Sequence, residues 1–246
     1  MNHDSRGVAR FFSHFPVSAE ELNSTNLVIC PSFTLLDSVR AQIAGRKISI
    51  GGQNMFWEKE GAYTGEVSGT QLVDANCEFV ILGHSERRNY FNESDEVINK
   101  KVVLALSLRL RPIVCIGESF DEKEAGLTKK SIEQKLRSVL VDVPLPELSR
   151  VIIAYEPVWA ISTNVHNTDR QPTSPEQAQV AHKFIRLVIA ELTNPGIASR
   201  ISVIYGGSVS ADNAKDFLGM DDIDGALIGA ASLDPVSLLK IIQTTK

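Results

Sequence analysis

The stretch Val151-Ile152-Ile153-Ala154-Tyr155-Glu156-Pro157-Val158-Trp159-Ala160 decides how this 246-residue chain reads. Val151 to Ala154 is a short continuous apolar run, the pattern of a strand buried on both faces. A carboxylate, Glu156, stands at its end, and Pro157 then stops strand pairing. Alone, such a Glu is either a structural ion-pair partner or a base aimed into a pocket. A second buried run, Phe79-Val80-Ile81-Leu82, ends in a similar way, in Gly83-His84-Ser85-Glu86-Arg87-Arg88. Titratable groups at the C-terminal ends of two buried strands are what an enzyme on a parallel barrel presents.

The rest of the chain repeats the alternation. Val8, Phe11, Phe12 and Phe15 recur at helical spacing until Pro16 breaks the pattern. Strand-like runs follow at Leu27-Val28-Ile29-Cys30 and Ile48-Ser49-Ile50, with a helical stretch from Leu35 to Ile43 between them. Helices are expected from Ser94 to Arg109, with Val97, Lys101, Leu104 and Leu108 on one face, and from about Leu127 to Leu140. Another runs from Ser174 to Leu192, with Pro175 at a favoured first helical position. Further strands are expected at Pro112 to Ile116, Ile201 to Tyr205 and Gly225 to Ile228, with helices after Ser210 and Asp234. Strands separated by helices imply parallel pairing through right-handed crossovers. No Gly-x-Gly-x-x-Gly turn follows any strand, which disfavours a doubly wound sheet. The expectation is one α/β domain over 1–246, a (β/α)8 barrel with seven strands visible and its first strand absent ahead of Leu27.

Composition excludes several classes. Hydrophobic residues make up 43% and charged residues 22%, an ordinary globular balance. A net charge of -5 gives no footing for nucleic acid or an anionic membrane surface. No apolar run approaches the roughly 20 residues that span a bilayer, and no signal-peptide core follows Met1. Cys30, Cys77 and Cys115 are odd in number and widely spaced, as core thiols in a reducing cytoplasm would be. The histidines show no ligand spacing. The loop Gln53 to Glu66 holds Met55, Phe56, Trp57 and Tyr63, and exposed aromatics at this density point to a partner surface. The competing reading is that the loop folds back on its own core.

Two Gly-bearing turns, Tyr205-Gly206-Gly207-Ser208 and Ile228-Gly229-Ala230-Ala231-Ser232, follow the last two strand-like runs. Backbone N–H groups at such turns can cradle a phosphate without a basic side chain. With these turns in place the chain resembles the triosephosphate isomerase family. The resemblance is carried by Ala154 to Ala160, Gly83 to Arg88, Tyr205 to Ser208 and Asp224-Gly225-Ala226-Leu227-Ile228-Gly229. Cys115-Ile116-Gly117-Glu118 and Gly61-Ala62-Tyr63-Thr64-Gly65-Glu66 belong to the same pattern, in family order over nearly the whole chain.

The resemblance implies a TIM barrel that interconverts dihydroxyacetone phosphate and D-glyceraldehyde 3-phosphate through an enediolate, with no cofactor and no metal. By this resemblance Glu156 is the base and His84 the neutral electrophile, roles carried over from the family. Glu86 is implied as the acid that holds the family's catalytic Lys, and Arg87 with Glu66 as a structural ion pair. Phosphate is expected on the N–H groups of Ser162, Ser208, Gly229 and Ala230, the last replacing a family Gly. The family forms a homodimer, here through the loop with Gln53, Asn54 and Thr64, the last reaching toward the partner's active site. A cytoplasmic enzyme of glycolysis and gluconeogenesis is implied.

Two departures stand out. The family's lid reads Gly-Thr-Gly after the position of Ile161 and turns quickly into a helix. Here Ser162-Thr163-Asn164 continues through Val165 to Thr173, a longer lid that is still expected to close over phosphate because Pro157-Val158-Trp159 keeps the first hinge. The family's first strand ends in Asn-x-Lys-Met-Asn, and this chain begins Met1-Asn2 at the last two residues of that motif. The expectation is a start placed at an internal Met, with about ten residues upstream supplying a strand that ends in Asn-x-Lys. Beginning at Met1, the chain is expected to fold poorly and show little isomerase activity, and a catalytically impaired or inactive relative is the alternative reading.

Overall fold

The computed structural model describes residues 2–18, 22, 24–161 and 172–245. Helix α1 (Ser5–Ser13) opens with Asp4 accepting from the Gly7 N–H, and it buries Val8 and Phe12. Arg46 donates to the Phe15 carbonyl at 3.3 Å and ties the helix's exit to the barrel wall. Then come β1 (Leu27–Ile29), α2 (Leu36–Ile43), β2 (Ile48–Gly52), α3 (Gly69–Asp74), β3 (Phe79–Leu82) and α4 (Ser85–Phe91). They are followed by α5 (Asp95–Ser107), β4 (Arg111–Ile116), α6 (Phe120–Glu124), α7 (Thr128–Val139), α8 (Leu145–Leu148) and β5 (Ile152–Tyr155). The chain ends through α9 (Pro175–Leu192), α10 (Pro195–Ala198), β6 (Ser202–Tyr205), α11 (Ala214–Leu218) and α12 (Pro235–Gln243).

The six strands lie in sequence order and every pair is parallel. Consecutive parallel neighbours joined by helices require each helix to cross back over the sheet, so helices line its outer face. The sheet curls on itself. Val28 of β1 and Cys30 just beyond it, with Ile204 and Leu227 from the far edge, pack on the same interior cluster of Phe79, Ile81, Ile113, Cys115 and Ala154. A flat sheet would hold those edges far apart; a shared interior is the geometry of a barrel. The second core, outside the strands, takes alternate residues such as Val80, Leu82, Val114, Ile116 and Ile153 together with the inner faces of the helices.

Four expectations are corrected. Gly225 to Ile228 forms no strand but a single parallel bridge, Ala226 to Tyr205, so among the described residues six strands and a bridge stand where seven strands were expected. The buried face of α5 is Ile98, Lys101, Val102, Ala105 and Leu106. Lys101 belongs to it, while Val97, Leu104 and Leu108 lie half-buried at its margin. Met55 is fully buried, so of the four large apolar residues of the loop Phe56, Trp57 and Tyr63 reach the surface and Met55 does not. Arg87 pairs with Glu93 at 2.6 Å instead of Glu66.

That last correction has a physical source. Lys101 is 2% exposed, and burial pulls its ammonium pKa down. Glu93 Oε1 at 2.6 Å and Asn54 Oδ1 at 2.9 Å supply the partners that a buried cation requires. Glu93 thus sits between Lys101 and Arg87, and Asn54 of the loop is drawn inward. Cys30, Cys77 and Cys115 are free thiols.

Candidate active site

The site gathers at the C-terminal ends of the strands. Glu156 follows β5 directly, and its N–H donates to the Ile116 carbonyl at 2.7 Å, which carries strand pairing one residue past the sheet. Gly117 lets this happen: a Cβ there would lie 1.8 Å from the Glu156 carbonyl oxygen, an impossible contact. The carboxylate is 2% exposed. Its Oε2 accepts from the Ser85 N–H at 3.0 Å. Its Oε1 stands 3.2 Å from His84 Nε2, at ion-pair distance but off the line of a hydrogen bond. Among the described residues Oε1 is therefore a buried acceptor without a donor, held at the mouth of the barrel. A group kept under-satisfied in this way is poised for another partner.

His84 caps the N-terminus of α4, where its Nδ1 accepts from the Glu86 N–H at 3.3 Å. An accepting Nδ1 carries no proton, so the neutral ring presents Nε2–H, and Nε2 is the nitrogen facing Glu156. The tautomer thus follows from the cap. Glu86, in the first turn of α4, has its side chain half exposed, with Oε2 3.8 Å from His84 Nδ1. Arg88 buttresses the turn from behind, donating to the Gly83 carbonyl at 2.7 Å and the Cys115 carbonyl at 3.2 Å. The Cys115 thiol lies under the carboxylate, and burial, then the charge of Glu156, pushes its pKa well up.

Glu118 and Tyr155, which the sequence reading left without a role, complete the surroundings of Glu156 together with Trp159 of the first hinge. Glu118 is 1% exposed, and its Oε1 accepts from Trp159 Nε1 at 2.8 Å. The Tyr155 hydroxyl lies 3.1 Å from both its oxygens. Burial raises the Glu118 pKa, and these hydrogen bonds oppose the rise. Tyr155 and Trp159 flank Glu156 in sequence, so one buried acid fixes the chain on both sides of Glu156. The signal was the Cys115-Ile116-Gly117-Glu118 motif, another carboxylate closing an apolar run. Lys123 covers the Trp159 ring at 3.6 Å from its centroid.

The turn after β6 joins the same cluster. The Gly206 N–H donates to the Tyr155 carbonyl at 2.7 Å, and a Cβ on Gly206 would come 2.8 Å from Glu156 Cγ. Only glycine lets the turn approach the Glu156 side chain so closely. Ser208 is exposed, and its carbonyl accepts from Asn213 Nδ2 at 3.1 Å. Gly229 and Ala230 are exposed at the start of the 3-10 turn Ala230–Leu233, whose Ser232 Oγ donates to the Gly229 carbonyl at 2.7 Å. Ser162 and the lid from Ser162 to Gln171 lie outside the described residues. In the loop, Gln53 is exposed and donates to the Cys30 carbonyl at 2.8 Å, Asn54 is buried against Lys101, and Thr64 is exposed. Among the described residues no group of three His, Cys, Asp or Glu side chains is arranged to hold a metal ion.

A buried carboxylate facing the N–H of a neutral imidazole, beside glycine turns with exposed backbone, can move a proton at a carbon next to a carbonyl. Comparison with known proteins agrees with that chemistry. The family model described as triosephosphate isomerase matches residues 1–245. A triosephosphate isomerase of Chloroherpeton thalassium is 42% identical over 247 residues, covering 100% of this chain and 96% of that protein. That of Aquifex aeolicus is 43% identical over 244 residues, 99% of this chain and 96% of the relative. That of Citrifermentans bemidjiense is 47% identical over 222 residues, 90% and 86% respectively. The chain belongs to the triosephosphate isomerase family.

Proposed function

We propose that this chain is an isomerase that interconverts dihydroxyacetone phosphate and D-glyceraldehyde 3-phosphate, with Glu156 as the base and His84 as the electrophile. The observation that carries the reading is the facing pair itself, Glu156 Oε1 and His84 Nε2 at 3.2 Å, with the imidazole proton directed by the helix cap. With substrate bound, Glu156 takes the proton from the carbon beside the carbonyl. Nε2–H of His84 donates to the carbonyl oxygen as it gains charge, then passes protons between the two oxygens of the enediolate. Glu156 returns its proton to the neighbouring carbon. The Ser85 N–H that holds Oε2 must be released for this, and catalytic contacts in a free enzyme commonly tighten only in the complex. The substrate's phosphate takes the backbone N–H groups of Ser208, Gly229 and Ala230, with Ser162 from the lid. Glu86 stands as the acid on the far side of His84.

The test is the conversion of glyceraldehyde 3-phosphate in deuterated water, scored for rate and for label at the exchanged carbon. Glu156→Gln and His84→Gln should each lower kcat by about 100-fold or more, with the fold unchanged. Parental turnover in Glu156→Gln would remove it from the role of base.

The active form is a homodimer built on the loop Gln53 to Glu66. Supporting this, Phe56 stacks on Trp57 at 4.0 Å and packs tilted against Tyr63 at 4.4 Å, a semi-exposed aromatic cluster next to exposed Thr64. A fully active monomer in sedimentation would refute it. The substrate implies a place in the cytoplasmic reactions of glycolysis and gluconeogenesis. No described helix is long and apolar enough to cross a membrane.

A further inference from the structure

His182 has no part in the chemistry above, yet it sits at a junction of the site. It lies on α9 and is 0% exposed. Its Nδ1 is 2.7 Å from the Ala178 carbonyl, which can only accept, so Nδ1 carries the proton. Burial lowers its pKa, which keeps the ring neutral. The second nitrogen faces the Ile204 carbonyl but has no proton to give it, and among the described residues Nε2 has no hydrogen-bond partner. A buried polar atom left unpaired costs stability, and an aliphatic side chain would avoid that cost. The ring must therefore be explained by what it touches.

It touches two tyrosines. The imidazole meets Tyr155 edge-to-face, with centroids 5.5 Å apart at 87°, and lies 6.1 Å from Tyr205. Tyr155 is the residue before Glu156, and Tyr205 is the residue before Gly206-Gly207-Ser208. Tyr155 is held at its hydroxyl by Glu118, and Tyr205 stacks flat on Phe217 at 4.4 Å. His182 packs against both rings. Gly207 packs so tightly on the Tyr205 hydroxyl that a Cβ there would lie 2.2 Å from it, so a shift of the Tyr205 ring moves the turn directly.

We propose that His182 is a positioning residue of the isomerase site: a ring wedged between Tyr155 and Tyr205 that sets the base Glu156 and the turn Gly206 to Ser208 relative to one another. The proposal rests on the roles given to Glu156 and the turn. Without the ring both tyrosines relax into the space it leaves, and base and turn lose their common reference.

The experiment uses His182→Ala, His182→Asn and His182→Phe in the full chain. It reads kcat and KM for glyceraldehyde 3-phosphate, inhibition by inorganic phosphate, and the backbone amide NMR signals of Glu156, Gly206, Gly207 and Ser208. An error of about 1 Å at a reacting group can cost about 100-fold, so Ala and Asn should lower kcat between about 10-fold and about 100-fold. Both should shift all four amides and weaken phosphate inhibition. Phe keeps a ring and loses both nitrogens; it should hold kcat within about threefold of the parent with amides near their parental positions. The proposal is overturned if Ala keeps kcat within about twofold and leaves the amides in place, whatever happens to the melting temperature. It is equally overturned if Phe falls as far as Ala, since the tether to Ala178 would then matter and not the wedge. Should the parent show no isomerase turnover, the roles of Glu156 and His84 fail on that result alone. The amide shifts of Ala against Phe still decide the wedge.

Discussion

Replacing Glu156 by Asp keeps the charge and shortens its arm by one carbon–carbon bond, about 1.5 Å. In the structure Oε2 is 3.0 Å from the Ser85 N–H and Oε1 is 3.2 Å from His84 Nε2. Drawing the carboxylate back along its arm opens both gaps to about 4.5 Å, beyond hydrogen-bond reach. The backbone cannot follow it forward, because the Glu156 N–H is bound to Ile116 and its carbonyl is pressed against Gly117. A displacement of this size should cost at least about 100-fold in rate, or about 2.7 kcal/mol of barrier. The loss should fall on kcat and kcat/KM alike, the mark of an interaction made in the transition state, because the turn proposed to hold phosphate is untouched. Stopped or coupled assays of glyceraldehyde 3-phosphate conversion give the rates, and circular dichroism checks the fold. A variant within about twofold of the parent in kcat would refute the reasoning, as would a loss confined to KM.

Gly206→Ala places a methyl 2.8 Å from Glu156 Cγ and 3.2 Å from the Tyr155 carbonyl, so kcat should fall about 10-fold to about 100-fold with the circular dichroism spectrum unchanged; parental kinetics would show the turn free to back away. Glu118 holds its proton to higher pH when folded than when unfolded, because burial raises its pKa. The folded state then binds more protons in the window above the ordinary glutamate value, so the contribution of Glu118 to stability must fall as pH rises through it. The difference in urea stability between the parent and Glu118→Gln should decline across that window, and a flat or rising difference would contradict the buried acid. Lys101→Met removes a 2% exposed cation from Glu93 and Asn54 and should cost about 3 kcal/mol in urea unfolding, with Arg87 still partnering the carboxylate; a loss below about 1 kcal/mol would mean Arg87 alone satisfies it.

The alternation of strands and helices was legible because parallel strands are buried on both faces and read as unbroken apolar runs. β3, β4 and β5 have that character: every residue of Phe79–Leu82 is buried, as is all of β4 and β5 except Arg111 and Ile152. Where burial is partial the reading loosened. β1 is half-buried throughout, and Gly225 to Ile228, also half-buried, pairs only at Ala226. The face of α5 was misplaced by one position because the half-buried Val97, Leu104 and Leu108 are as apolar as the buried Ile98, Val102 and Leu106, although Lys101 was placed on it correctly. The burial of Lys101 depends on Glu93, eight residues earlier, and Asn54, on a loop 47 residues away. No local pattern reports such a pairing.

The same rule divides the site. Glu156 and His84 were visible because each is the first ionisable side chain after an apolar run, and the barrel sends every such residue to one end. What makes them a pair is not local. The proton on His84 is directed by the Glu86 N–H, one turn of chain, but the atom it faces comes from 72 positions later, and Ser85 reaches Glu156 across 71. Glu118, 37 residues from Tyr155 and 41 from Trp159, acts entirely through such distant contacts. A carboxylate at a strand end can therefore be recognised from sequence as belonging to the site, while its role cannot. Glu156 faces a proton donor with one oxygen unsatisfied and is fitted to take a proton. Glu118, with donors on both oxygens, is fitted to hold its neighbours still. Two acids at neighbouring strand ends differ in function because the fold fills the acceptor sites of one and leaves the other open.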